Sequence, residues 1–72
     1  MGQSDVIEWL KNNSYRQEWF TTKEIRVGLN NCGFSSGICR DVRKKLVKLW
    51  IFNIAEFKGK HILDPNIKWK LR

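Results

Sequence analysis

Acidic side chains are scarce in this chain. Seven Asp and Glu stand against 14 Lys and Arg, leaving a formal charge of +7 on 72 residues. That imbalance favours an anionic partner, nucleic acid above all, over a small-molecule pocket; solubility alone is the blander use of the same charge. Histidine is reduced to His61, and the two cysteines, Cys32 and Cys39, have six residues between them. Structural zinc wants four ligands, commonly with two to four residues between paired cysteines, so no metal site is expected. Two cysteines are also too few for a secreted disulfide scaffold, and the expectation is free thiols in a reducing compartment. The longest apolar run, Leu49-Trp50-Ile51-Phe52, is far too short to span a bilayer. The first residues, Met1-Gly2-Gln3-Ser4-Asp5, carry neither a basic segment nor a long apolar one, as a signal peptide would. Val6 stands where myristoylation of Gly2 would want Ser or Thr. A soluble protein of the cytoplasm (nucleoid-associated) or nucleus is expected, without a membrane partner.

Catalytic patterns are missing as well. No phosphate-cradling glycine-rich loop and no serine nucleophile elbow occur, and the acids are dispersed. A Cys–His pair would need both groups at one pocket, whereas Cys39 reads as core-facing. Neither a cofactor nor an enzymatic activity is expected.

What the chain does have is a helix with two sharply different sides, over residues 35–49. At about 100° per residue, Ile38, Val42, Leu46 and Leu49 form one stripe, with Cys39 beside them, while Arg40, Lys44 and Lys48 recur on the opposite side. A first helix is predicted from Ser4-Asp5 to about residue 13, with Asp5 as cap, Glu8 reaching back to it, and Val6, Ile7 and Leu10 inward. Trp19-Phe20 reads as a short strand. Thr21 and Glu24 then make a capping box for a second helix to about Asn30, with Ile25 and Leu29 inward and Gly28 allowing a neighbour close approach. Asn30 to Gly33 is turn chemistry, and Phe34 is placed to staple the next helix against Cys39. Beyond the third helix, Ile51 to Phe57 alternates poorly but is rich in strand formers, and reads as a strand buried on much of both faces. Gly59 and Asp64-Pro65-Asn66 mark a loop, and Ile67, Trp69 and Leu71 alternate strictly with Lys68, Lys70 and Arg72 as a second strand. Four Trp, four Phe and one Tyr supply the core of a single small domain.

This order of elements resembles the winged helix-turn-helix family over nearly the whole chain. The resemblance is carried by Phe20-Thr21-Thr22-Lys23-Glu24-Ile25, by Gly33-Phe34-Ser35 at the turn, and by residues 42–49 running straight into a strand. It implies an α+β fold of three helices, a short strand and a C-terminal β-hairpin wing, of the type found in small prokaryotic and archaeal regulators. It also implies double-stranded DNA as partner and transcriptional regulation as role. Many members carry a dimerisation helix after the hairpin; without one, a monomer or weak homodimer is expected.

The contact residues follow from that placement. Ser35, Ser36 and Gly37 keep the helix start unobstructed where base edges are approached, and Arg40 is suited to a forked contact with guanine. Asp41 either accepts from cytosine or orients Arg40. Lys44 and Lys48 suit phosphates, and Arg43 sits between the two faces. For all of these the competing reading is a solvated helix face. Lys58, Lys60 and His61 cluster around Gly59 at the wing tip, as a basic finger or as protection of a strand edge. Lys68, Lys70 and Arg72 read as an ordinary solvated strand face. Thr22 and Lys23, after Thr21, open a helix whose N–H groups either hold a phosphate or are merely capped. An outward tryptophan would instead mark a protein-interaction module without direct DNA readout.

Overall fold

The computed structural model describes residues 2–33 and 39–72, with residue 39 described by its backbone alone. Among them the chain forms α1 (Gln3–Asn13), β1 (Phe20–Thr21), α2 (Thr22–Asn31), α3 (Cys39–Ile51), β2 (Ala55–Lys58) and β3 (Lys68–Leu71). The strands make one antiparallel sheet in the order β1-β3-β2, so the molecule is a small α+β domain. β3 is central, pairing Trp69 with Phe20 on one side and with Phe57 on the other. No helix among the described residues is long and apolar enough to cross a membrane.

Each helix end has an identifiable cause. α1 begins two residues before the expected Asp5 cap. Gly2 is the cap, and Asp5 sits three residues on, its carboxylate accepting the Gly2 N–H at 2.9 Å. Asp5 thus supplies the reach-back half of a capping box, the role expected of Glu8. The buried stripe of α1 is Val6, Trp9 and Leu10. Trp9 belongs on it at i+3, while Ile7 is half-buried at its margin. At α2 the reciprocal box is complete: Glu24 N–H donates to Thr21 Oγ1 at 3.1 Å, and Thr21 N–H donates to Glu24 Oε1 at 3.0 Å. Ile25 and Leu29 are fully buried, and α2 closes on Gly33 at φ +88°.

α3 runs two residues past its expected end and displaces the strand predicted from Ile51. Asn53 adopts φ +62°; its N–H donates to the Trp50 carbonyl at 3.0 Å, and Ile54 N–H donates to the Leu49 carbonyl at 2.9 Å. This is the Schellman arrangement, with an asparagine in the left-handed position usually taken by glycine. Because the helix unwinds only there, β2 starts at Ala55. Ile51 and Phe52, expected to be buried, are 61% and 65% exposed.

The helices and the inner face of the sheet share one core: Val6, Trp9, Leu10, Phe20, Ile25, Leu29, Val42, Leu46, Leu49, Ala55, Ile67 and Trp69. Val42, Leu46 and Leu49 fix the rotation of α3, and each such buried aliphatic side chain contributes about 1.5–3 kcal/mol. Trp69 is the centrepiece, wholly buried, with its indole N–H donated to Thr22 Oγ1 at 3.1 Å. The Ile38, Cys39 side-chain and Phe34 expectations lie outside the described residues.

The Glu24 cap gives the fold a pH dependence. The Thr21 N–H, with smaller help from Gln17 and Lys68, outweighs slight burial and holds this carboxyl below its ordinary 4.5. A depressed value stabilises the fold above the ordinary pKa, and that contribution is lost as pH falls through the folded one. Glu24→Gln keeps a side chain able to reach the cap without titrating. It is expected to flatten the acid limb of stability below about pH 4.5, measured as urea midpoints between pH 7 and about pH 2.5. An acid limb unchanged from the parent would show that this carboxylate is not held by the cap.

Candidate nucleic-acid interface

With its apolar side pinned by Val42, Leu46 and Leu49, α3 turns Arg40, Lys44 and Lys48 to solvent and leaves Arg43 and Lys45 half-buried. These five cations, with Val47, form most of the lining of a shallow groove of about 480 Å³ whose further wall is Leu63 from the loop between β2 and β3. Among the described residues no acidic side chain lines it. None of the five is paired with a carboxylate among the described residues.

A second depression, of about 420 Å³, lies at the start of α2, lined by Thr21, Thr22, Lys23, Arg43, Pro65 and Asn66. Arg43 lines both, so the β2–β3 loop rises between two basic hollows joined at one guanidinium. The loop holds its own shape. Leu63 N–H donates to His61 Nδ1 at 3.1 Å, Asp64 N–H donates to the His61 carbonyl at 2.9 Å, and Asn66 N–H donates to Asp64 Oδ1 at 2.9 Å. Gly59, at φ +151°, lets the chain pass against Ile67 where a methyl group would collide.

The structure thus brings together Arg40, Arg43, Lys44 and Lys48, and joins Lys23 to them through Arg43. Asp41 is exposed on α3 but does not line the groove. Ser35, Ser36 and Gly37 lie outside the described residues. The Thr22 side chain is only 5% exposed and its hydroxyl accepts from the Trp69 indole, so it is a core group; the expectation at this helix start concerns the backbone N–H groups and not that hydroxyl. One expected contact needs correction. Lys58 is the last residue of β2 and not part of the loop tip; its Nζ lies 5.7 Å from the centre of the Trp19 ring, on the outer face of the sheet. Lys60 and His61 remain exposed, with one His61 nitrogen committed to the loop's backbone. Lys45, Val47 and Leu63 were not singled out by the sequence. Lys45 belongs to a visible run of cations, but nothing local announces that Leu63 faces α3.

The outer face of the sheet is not merely solvated either. Lys70 Nζ bonds Glu18 Oε1 at 2.8 Å, approaches Glu56 Oε1 at 3.3 Å and lies 4.9 Å above the Trp19 ring. The Lys70 hydrogen bond holds the Glu18 carboxyl below its ordinary range, and the same bond raises Lys70. Toward the loop, Lys58 stands directly across from Lys68, a like-charged pair that adds to the positive potential there. Of the tryptophans, Trp9 and Trp69 are core, Trp19 is half-buried under the two lysines, and Trp50 is 37% exposed. Ile51, Phe52 and Ile54 extend that exposed apolar surface. No family model matches the chain, and neither a curated protein nor a solved structure does.

Proposed function

We propose that this chain binds double-stranded DNA as a winged helix-turn-helix domain and acts in transcriptional regulation. In this reading α3 enters the major groove and the wing, residues 58–66, lies on the adjacent backbone or minor groove. The reading is carried by the groove between α3 and the loop, whose five cations have no carboxylate partner among the described residues, with Arg43 linking it to Lys23. A structural face of a helix gains little from leaving its cations unpaired and facing a shaped hollow; a phosphate backbone supplies the missing charge. The element order and the antiparallel sheet are compatible with that layout.

Salt dependence tests it. If about five phosphates are neutralised, log K for a duplex falls against log salt with a slope of roughly −4 to −5. Fluorescence anisotropy of a labelled duplex between about 50 and 300 mM salt measures this, with a single strand of the same length as competitor. A slope near zero, or equal competition by the single strand, rules the mechanism out. The second reading, a protein-docking module, is favoured by the exposed Trp50, Ile51, Phe52 and Ile54. Duplex-induced amide shifts at 40–48 and 58–66 fit the first reading; shifts confined to 50–54 on adding a partner protein fit the second.

A further inference from the structure

β2 lies at one edge of the three-stranded sheet. We propose that two chains pair through β2 in an antiparallel arrangement with its two-fold axis at Phe57, a proposal independent of the DNA reading.

The hydrogen-bond phase of the strand comes first. Arg72 N–H donates to the Ile54 carbonyl at 2.9 Å, extending a register in which Glu56 faces Lys70 and Lys58 faces Lys68. Bonded and non-bonded pairs alternate along an antiparallel ladder, so positions 54, 56 and 58 direct their backbone groups toward β3. Ala55 and Phe57 therefore turn N–H and C=O to the outer edge, where no strand of the described residues pairs with them. Edges of this kind are normally guarded by charged side chains. Here the two charged residues of the strand, Glu56 and Lys58, carry opposite signs, so a second copy of the same strand can match both.

Charge then selects the register. Four two-fold registers are available to so short a strand, and those centred on its end residues, Ala55 and Lys58, pair only one residue of it with itself. One centred on Glu56 sets carboxylate against carboxylate, and one centred on Lys58 sets ammonium against ammonium. Centred on Phe57, the two Phe57 residues exchange backbone hydrogen bonds, as their outward phase allows, and each Glu56 stands across from the other copy's Lys58. The same axis sets the two Phe57 residues across from one another, each with Trp50 stacked edge-to-face on it at 5.6 Å. A four-residue edge spans only about 13 Å. The contact therefore falls short of the roughly 800 Å² per partner of a stable interface, and the dimer is weak and concentration-dependent. Salt strengthens it by screening two +7 chains from one another.

Sedimentation equilibrium at about 0.3 M salt, from about 10 μM to 1 mM, tests the pairing. The wild type is expected to rise toward twice the mass of one chain. Glu56→Lys alone sets lysine across from lysine, and Lys58→Glu alone sets glutamate across from glutamate. Each is expected to associate about tenfold more weakly, whereas an equimolar mixture of the two restores association. In the wild type, exchange of the Phe57 amide is expected to slow as concentration rises, a readout needing no variant. A wild type that stays monomeric to about 1 mM, or a mixture no more associated than its components, overturns the proposal. So does Lys58→Glu pairing as tightly as the wild type, since that is the outcome for a register centred on Glu56.

Discussion

Gly28→Ala is expected to lower the thermal midpoint by on the order of 10 °C, although the same change in an exposed helix raises stability by about 1 kcal/mol. The sign is set by Trp9. A methyl group built on Gly28 would sit 2.6 Å from Trp9 Nε1 and closer still to Cζ2 and Cε2. The indole cannot simply step aside. Trp9 is 5% exposed and packs edge-to-face on Phe20 at 4.9 Å. The space beside it is a solvent-open hollow also lined by Phe20, Val27 and Asn31, so retreat would wet the ring. Overpacking of this kind costs about 1–3 kcal/mol beyond the propensity gain it cancels. At about 4–8 °C per kcal/mol for a domain of this size, the shift is easily resolved by circular dichroism. A smaller ring identifies the cause. Trp9→Phe alone should destabilise by opening a void, but in the Gly28→Ala background it should recover part of the loss, giving a double-mutant coupling of more than about 0.5 kcal/mol. A Gly28→Ala midpoint above the parent's would show that α1 and α2 do not approach as closely as the structure has them.

That contact also marks how far local sequence reaches. Gly28 inside an otherwise regular helix invites a close neighbour, but nothing near it names Trp9. The Thr21–Glu24 box, the inward Ile25 and Leu29, and the alternation of β3 were legible because each is a pattern within a few residues. The start of α1 was misplaced because Gly2–Asp5 and Asp5–Glu8 have the same spacing, and only the backbone decides which acid reaches back. The end of α3 was misplaced for a different reason. Leu49 to Phe52 suits strand as well as helix, and the stop is one asparagine at positive φ. At the candidate site, the α3 cations could be read from periodicity. The loop residue facing them, the diversion of Lys58 to Trp19 and the burial of Thr22 under Trp69 are all set by pairings distant in sequence. Strand patterning shows that an element pairs, not with what.

Arg40→Ala is expected to weaken duplex binding by about 1–3 kcal/mol at the preferred site, with loss of preference at one base-pair position, while Lys44→Ala weakens all sequences alike. The difference follows from position along one helix face. Lys44 and Lys48 lie one and two turns beyond Arg40, about 6 and 12 Å further along the axis. A helix that presents its first turns to base edges carries its later turns toward the sugar-phosphate rim. A guanidinium presents a fixed fork that matches guanine O6 and N7, whereas an ammonium acts as a mobile point charge suited to phosphate. Salt separates the two roles without knowledge of the target sequence. Lys44→Ala with Lys48→Ala should reduce the magnitude of the log K against log salt slope by about 2, one released counterion for each lost phosphate contact. A base-reading Arg40 should leave that slope nearly as it was while its replacement narrows the gap between a selected duplex and a random one. Selection from a randomised duplex pool, followed by anisotropy at two salt concentrations, measures both quantities. If Arg40→Ala changes the slope as Lys44→Ala does and leaves sequence preference intact, α3 rides on the backbone and does not read the groove.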